Sequence, residues 1–386
     1  MIRSWMVYGG ILGLSLAGTW MRFTAEETKG EKEGVALLDE PTSALESITY
    51  ASPDVDVSFE IRKDTFGSYG WVTVSDHKQK KVKEGETPPP VETKVTSFKA
   101  GTAGDKLMES VAPLMAKREL IGVDAAKLES FKLTASTSSL AVKAAGQTAT
   151  LELGGETYGA KDLYAKHRES SRFYVVDDEL IKPLKFAVTR LPERGLFATK
   201  VEEVDTVVLS AGTRQVEWLQ HNKEDRSADW WERKATAGTD EVGKKDETFS
   251  NWLEKALKVK SASYVQAGEE PATTEPVFDL SFSVQGKPTE TLHVLKSESD
   301  WYAKSDFSRG LVKLTRSAVE DTADEVDDIL AGREPAPKEK PPAPAALEGG
   351  PGAPGAHPPM PPGMPGMPGP RPGLPPGIPG GKLKPH

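Results

Sequence analysis

Tyr164-Ala165-Lys166 returns as Tyr302-Ala303-Lys304, and Gly70-Trp71 has a counterpart in Asp229-Trp230-Trp231. Between these landmarks the same succession reads twice: strand, Trp, amphipathic helix, alternating strand pair, the Tyr-Ala-Lys segment, strand, helix. Self-similarity over so long a period predicts two similar units in tandem. The fold class expected is α+β, an internal duplication in which each repeat is an antiparallel sheet packed by helices.

The first repeat is expected over residues 45–200. Val55, Val57, Phe59 and Ile61 alternate with Asp56, Ser58, Glu60 and Arg62, the period of a half-buried strand. Gly67–Gly70 reads as a turn into a strand opening at Trp71. A Lys- and Pro-rich insertion occupies residues 76–94, where Pro88-Pro89-Pro90 removes backbone donors. Leu107, Val111, Leu114 and Met115 predict a helix over Gly104–Lys117, shortened or kinked by Pro113. Phe131–Leu133, Leu140–Ala144 and Thr148–Leu153 read as a meander, and Asp178–Val188 as a helix.

The second repeat is expected over residues 201–332. Trp218 stands for Phe59, and Trp230 and Trp231 for Trp71. Phe249, Trp252, Leu253 and Leu257 form one helical face. Phe278-Asp279-Leu280 echoes Phe131-Lys132-Leu133. Ser317 and Glu320 have the spacing of a capping box opening a last helix, whose apolar face ends at Leu330.

Both ends depart from this pattern. Residues 1–23 carry an apolar run from Trp5, interrupted at Arg22, with aromatics near its ends. It reads as an uncleaved anchor, with Ser15-Leu16-Ala17 offering the alternative of a cleaved signal and a cytosolic protein as the third reading. Arg3 places the N-terminus inside, so the body is expected outside the cytoplasmic membrane, periplasmic on a single-pass anchor. Residues 24–44 read as a polar linker. Residues 333–386 read as a disordered tail: 19 of the chain's 30 prolines lie from Pro335 onward, a composition that cannot build a core.

The 386-residue chain has a net charge of −9 and no cysteine. The acidic balance argues against a nucleic-acid surface. Disulfides, thiol nucleophiles and thiolate metal sites are excluded.

Candidate motifs yield no catalytic, cofactor or metal residue. Gly154 and Gly159 have phosphate-loop spacing, but Ala160 and Asp162 stand where Lys and Ser/Thr are needed. Ser75-Asp76-His77-Lys78 enters a loop rather than a helix and lacks partner motifs. The histidines are scattered. His357 and His386, with Met360, Met364 and Met367, leave a weak copper-binding reading open for the tail. Asp321, Asp324, Glu325, Asp327 and Asp328 read as a solvated helix face or a partner-docking face. The tryptophans 218, 230, 231, 252 and 301 read as core or as an aromatic platform.

Trp71, Leu151-Glu152-Leu153-Gly154, Tyr158 or Tyr164, and Arg194-Gly195-Leu196-Phe197 before Val204–Leu209 carry a resemblance over roughly residues 45–330. In these the chain resembles the bacterial domain-of-unknown-function 4340 family. That resemblance implies an accessory protein beside an ABC exporter of the gliding-motility type, and supplies no catalytic residues. The function expected is a non-catalytic, membrane-anchored envelope protein with an ABC permease as partner. The alternatives are a free-standing binding module for polysaccharide, peptidoglycan or a protein, to which the tail could contribute, and a hydrolase.

Overall fold

The computed structural model describes residues 33–77, 93–234 and 243–336. Ten strands form a first sheet: β1 (Glu33–Leu38), β2 (Leu45–Ala51), β3 (Val55–Asp64), β4 (Gly67–Asp76), β5 (Lys94–Lys99), β6 (Leu114–Leu120), β7 (Ser138–Ala144), β8 (Gln147–Glu156), β9 (Leu163–His167) and β10 (Arg172–Val176). Eight form a second: β11 (Thr206–Ala211), β12 (Arg214–Gln220), β13 (Trp231–Arg233), β14 (Ser261–Tyr264), β15 (Glu275–Val284), β16 (Lys287–Ser297), β17 (Asp300–Ser305) and β18 (Leu311–Leu314). Every ladder between these strands is antiparallel. The protein is therefore mostly β, with few helices. Both sheets belong to one compact unit that runs to Pro335.

The first sheet reads β1-β6-β10-β9-β8-β7-β2-β3-β4-β5 across its width. The second reads β14-β18-β17-β16-β15-β11-β12-β13. Its order is that of β6 through β4 in the first sheet, strand for strand; β1 and β5 are additional edges. Ala165 and Ala303, the centres of the two Tyr-Ala-Lys segments, face Leu153 and Val294 at equivalent positions, and both are fully buried.

Register corrects the tryptophan landmark. Phe59 lies opposite Ile48, and Trp218 opposite Val207. Two residues further on, Ile61 faces Gly70, whereas Gln220 faces Trp231. Gly70, not Trp71, thus holds the place of Trp231. Trp71 is one residue out of phase, and successive strand side chains take opposite faces. The helices α1 (Thr102–Val111) and α5 (Glu247–Leu257) repeat the contrast, since their third residues are Gly104 and Phe249. A Cβ on Gly70 would come within 2.3 Å of Phe59 Cζ, and one on Gly104 within 2.6 Å of Ala100 Cβ. In the second sheet the ring of Trp218 instead stacks on Phe249 at 3.9 Å, with Trp231 edge-on to Phe249 at 5.9 Å. One corner is filled by a single ring over two glycines, the other by three rings.

Other expectations also shift. Helix α1 stops at Val111 rather than Lys117, because Pro113 cannot donate to a further turn, and Leu114 starts β6. Phe131–Leu133 is no strand: it closes the short helix α2 (Ala125–Ser130), with Lys132 at φ 57°. The true counterpart of Leu280 is Leu140, each facing its equivalent neighbour (Leu209 and Tyr50). Asp178–Val188 breaks into a 3-10 turn at Asp178–Leu180 and the short α3 (Lys182–Lys185) and α4 (Ala187–Arg190). The last helix, α6 (Arg316–Ala331), begins before Ser317, so no capping box forms. Glu320 instead accepts from Arg316 Nε at 2.7 Å. Glu33–Leu38, expected in the polar linker, is edge strand β1. Gly332 at φ 68° ends α6 in the left-handed region that glycine adopts without strain.

Helices α5 and α6 cover the second sheet together. Val319, Thr322, Val326, Ile329 and Leu330 of α6 are buried, and Trp252 of α5 donates to Thr322 O at 3.0 Å. The expected anchor, most of the insertion and the tail lie outside the described residues. Among the described residues no helix is long and apolar enough to cross a membrane.

Candidate binding cleft between the sheets

Edge strand β5 of the first sheet lies beside edge strand β14 of the second. Gln266, just after β14, closes part of the gap. Its Oε1 accepts from Ser97 N at 2.7 Å and its Nε2 donates to Ser97 O at 3.3 Å. One side-chain amide thus satisfies both outward backbone groups of an edge residue, as a neighbouring strand would. Tyr264 packs between Trp71 and Phe98 at 6.5 and 6.2 Å. Its hydroxyl is buried without a hydrogen-bond partner among the described residues, and burial, reinforced by Glu193, pushes the phenol far above its ordinary range.

The connector after α4 binds both sheets. Glu193 N donates to Lys99 O at 2.9 Å, and Arg194 O accepts from Ser261 N at 2.9 Å. Glu290 of β16 is buried, yet its carboxylate is satisfied by Ala198 N and Thr199 N at 3.0 to 3.1 Å. Arg309, in the β17–β18 turn, reaches the β3–β4 turn. Its Nε lies 2.6 Å from Asp64 Oδ2, and the guanidinium lies 4.9 Å from the Phe66 ring centre and 5.1 Å from that of Tyr69.

These segments enclose a cleft of about 240 Å³ walled by Phe66, Tyr69, Phe307, Glu290, Arg309 and Lys99. Lys99, the last residue of β5, is only 6% exposed. Its Nζ sits 3.1 Å from the centre of the Phe307 ring, a cation–π contact. It makes no hydrogen bond or ion pair among the described residues. Burial lowers its pKa to about 8; Arg309 pushes the same way, while Glu193, Asp105 and Glu290 oppose. A shallower hollow of about 460 Å³ lies at Lys117 and Tyr158. There Lys117 already bridges Asp162 at 2.7 Å and Asp177 at 3.0 Å.

The residues weighed from sequence do not meet here. Gly154 and Gly155 lie in a bulged stretch of β8, where a Cβ on Gly154 would strike Phe131 O at 2.3 Å. Ser75 is the penultimate residue of β4, and Lys78 is outside the described residues. His77, His167, His221 and His293 pair separately with Asp56, Ser170, Glu232 and Asp279; His357 and His386 are outside. No cluster of three or more potential metal ligands occurs among the described residues. Trp218, Trp231, Trp252 and Trp301 are core; of the five weighed, Trp230 is exposed. On α6, Glu325 pairs with Lys255 and Asp327 with Arg214. Sequence reading missed Lys99, Glu290, Phe307 and Arg309. The adjacent buried pair Phe98-Lys99 breaks strand alternation, the single local hint.

Residues 102–277 match the family described as Domain of unknown function (DUF4340). This agrees with the resemblance expected from the residues. The DUF4340 match begins at α1 and ends inside β15, so it takes the later strands of the first sheet and the earlier strands of the second. It spans the connector and strand β14, and leaves out β5, Glu290 and Arg309. No curated protein matches the chain.

Proposed function

We propose that the protein is a non-catalytic envelope protein, held at the cytoplasmic membrane by residues 1–23 with its body on the periplasmic side, serving as accessory or scaffold subunit of an ABC-type exporter. The observation that carries the non-catalytic reading is the state of the cleft's polar groups. Glu290 is spent on Ala198 and Thr199, and Asp64 on Arg309. Lys99 faces a ring rather than an acid or base, whereas proton transfer needs an aligned donor–acceptor pair. The exporter role rests on the DUF4340 match and the family resemblance. Fold alone does not give function.

We further propose that the two sheets arose by duplication. Their identical order of eight strands supports this, as does the equivalent placing of Ala165 and Ala303. A second reading, a free-standing binding module, is favoured by the cleft itself.

Pull-down of the tagged full chain from detergent-solubilised membranes separates the two. Co-purification of a permease and ATPase supports the accessory role. Retention on envelope polymer without a transporter supports the binding module. A full-length chain in the soluble cytosolic fraction after cell breakage would sink both.

A further inference from the structure

Lys99 poses a physical problem that the rest of the cleft does not solve. An ammonium taken out of water needs oxygen acceptors, and an unpaired buried charge is among the costliest groups a fold can carry. Lys99 is more than nine-tenths buried, and its Nζ meets the Phe307 face and, among the described residues, no hydrogen-bond acceptor. The nearby carboxylates already accept from other donors: Glu290 from Ala198 and Thr199, Asp64 from Arg309, Glu193 Oε1 from Gly195 N at 2.6 Å, Asp306 Oδ2 from Thr291 N at 3.3 Å. Lys99 lines the cleft, where an acceptor from outside the chain can reach its ammonium.

We infer that the cleft between the sheets binds a small monocarboxylate, whose oxygens pair with Lys99 Nζ and whose apolar part lies against Phe66, Tyr69 and Phe307. The cleft's volume of about 240 Å³ suits a small molecule, since pockets for larger ligands run to roughly 300–1,000 Å³. The aromatic walls select an apolar or planar body. A single negative charge is selected over a phosphate. Glu193, Asp105 and Glu290 already lend the surroundings negative potential that disfavours a second negative charge, and Arg309 is occupied by Asp64, so Lys99 is the cleft cation left without a bonded acceptor among the described residues. The contacts come from both sheets and the connector, so occupancy would fasten the two halves together. This inference does not depend on the exporter role.

Sodium benzoate is the probe, titrated into the purified full chain by ligand-observed NMR, with benzamide as its neutral counterpart and K99M as the variant. We expect benzoate to bind with a Kd on the order of 1 mM, benzamide at least about tenfold more weakly, and K99M to lose benzoate binding while keeping its circular dichroism spectrum. If K99M does not fold, the wild-type protein decides: benzoate affinity falls about tenfold from pH 7 to pH 9 as Lys99 loses its proton near pH 8. The inference is overturned if benzoate does not bind at about 10 mM, if benzamide binds equally well, if folded K99M binds benzoate like wild type, or if the affinity is flat over that pH range. None of these outcomes bears on whether a permease co-purifies.

Discussion

Gln266 holds Ser97 as a strand would, with one amide group accepting from its N–H and donating to its C=O. Ser97 lies on the first sheet's edge strand and Gln266 just after the edge strand of the second, and their bonds cap the first sheet's edge where the second begins. Leaving a partly buried donor and acceptor unpaired costs about 1–3 kcal/mol. We expect Q266A to lower stability in urea denaturation by that amount, and Q266E, which can accept but not donate, to fall between. A Q266A midpoint equal to wild type would show that water replaces the amide.

Lys99 gives a pH signature. Its folded-state pKa is about 8, below the ordinary 10.5. Below pH 8 the group is charged in both states and its burial penalty is fully present. Between pH 8 and 10 the unfolded chain keeps the proton that the folded chain has lost, so stability rises with pH, by roughly 2–3 kcal/mol. Above pH 10 the phenol of Tyr264, held protonated in the fold, works in the opposite direction. Denaturation midpoints of K99M minus wild type across this window isolate the effect. A difference independent of pH would sink it.

Gly70 and Gly104 leave room for the ring of Phe59, which is fully buried. Overpacking a core position costs about 1–3 kcal/mol or more. G70A is expected at the upper end, because the Cβ meets Cζ and Cε1 of a fully buried ring rather than a flexible chain end. Thermal melts of G70A and G104A test this; an unchanged melting temperature for G70A would place Phe59 elsewhere.

Asp246 serves two partners. Its Oδ1 accepts from Phe249 N at 2.9 Å, capping α5, and its Oδ2 accepts from Trp218 Nε1 at 2.9 Å. D246A should cost about 2–3 kcal/mol, the loss of a cap plus a hydrogen bond to a buried indole. D246N, a comparable cap, should cost under about 1 kcal/mol. Equal losses for the two would mean that the charge matters and the cap geometry does not.

Deleting residues 337–386 removes a Pro- and Gly-rich segment whose composition cannot build a core. The body's last helix is already closed by Gly332, so the melting temperature should move by less than about 2 °C. A larger drop by scanning calorimetry would mean that the tail stabilises the body.

Much of the architecture is local and therefore legible in the residues. Val55, Val57 and Phe59 alternate because a pleated strand turns every second side chain to the same face. Phe249, Trp252 and Leu253 share a face because a helix repeats every 3.6 residues. The recurrence of Tyr-Ala-Lys needs only the sequence, as do the missing cysteines and the change of composition after Pro335. Register is different. Setting Gly70 rather than Trp71 against Trp231 depends on which residue faces which across a ladder, and a slip of one position reverses the face. Pro113 could be seen to limit α1, but not to hand the chain to a strand that pairs with β1 and β10. The cleft was least legible of all. Lys99 is one of 49 Lys and Arg residues, and beyond its place next to Phe98 nothing near it in the chain announces its burial. Its state is decided by Phe307, Arg309 and Glu290, brought across from the second sheet, because desolvation and Coulomb forces act through space rather than along the chain.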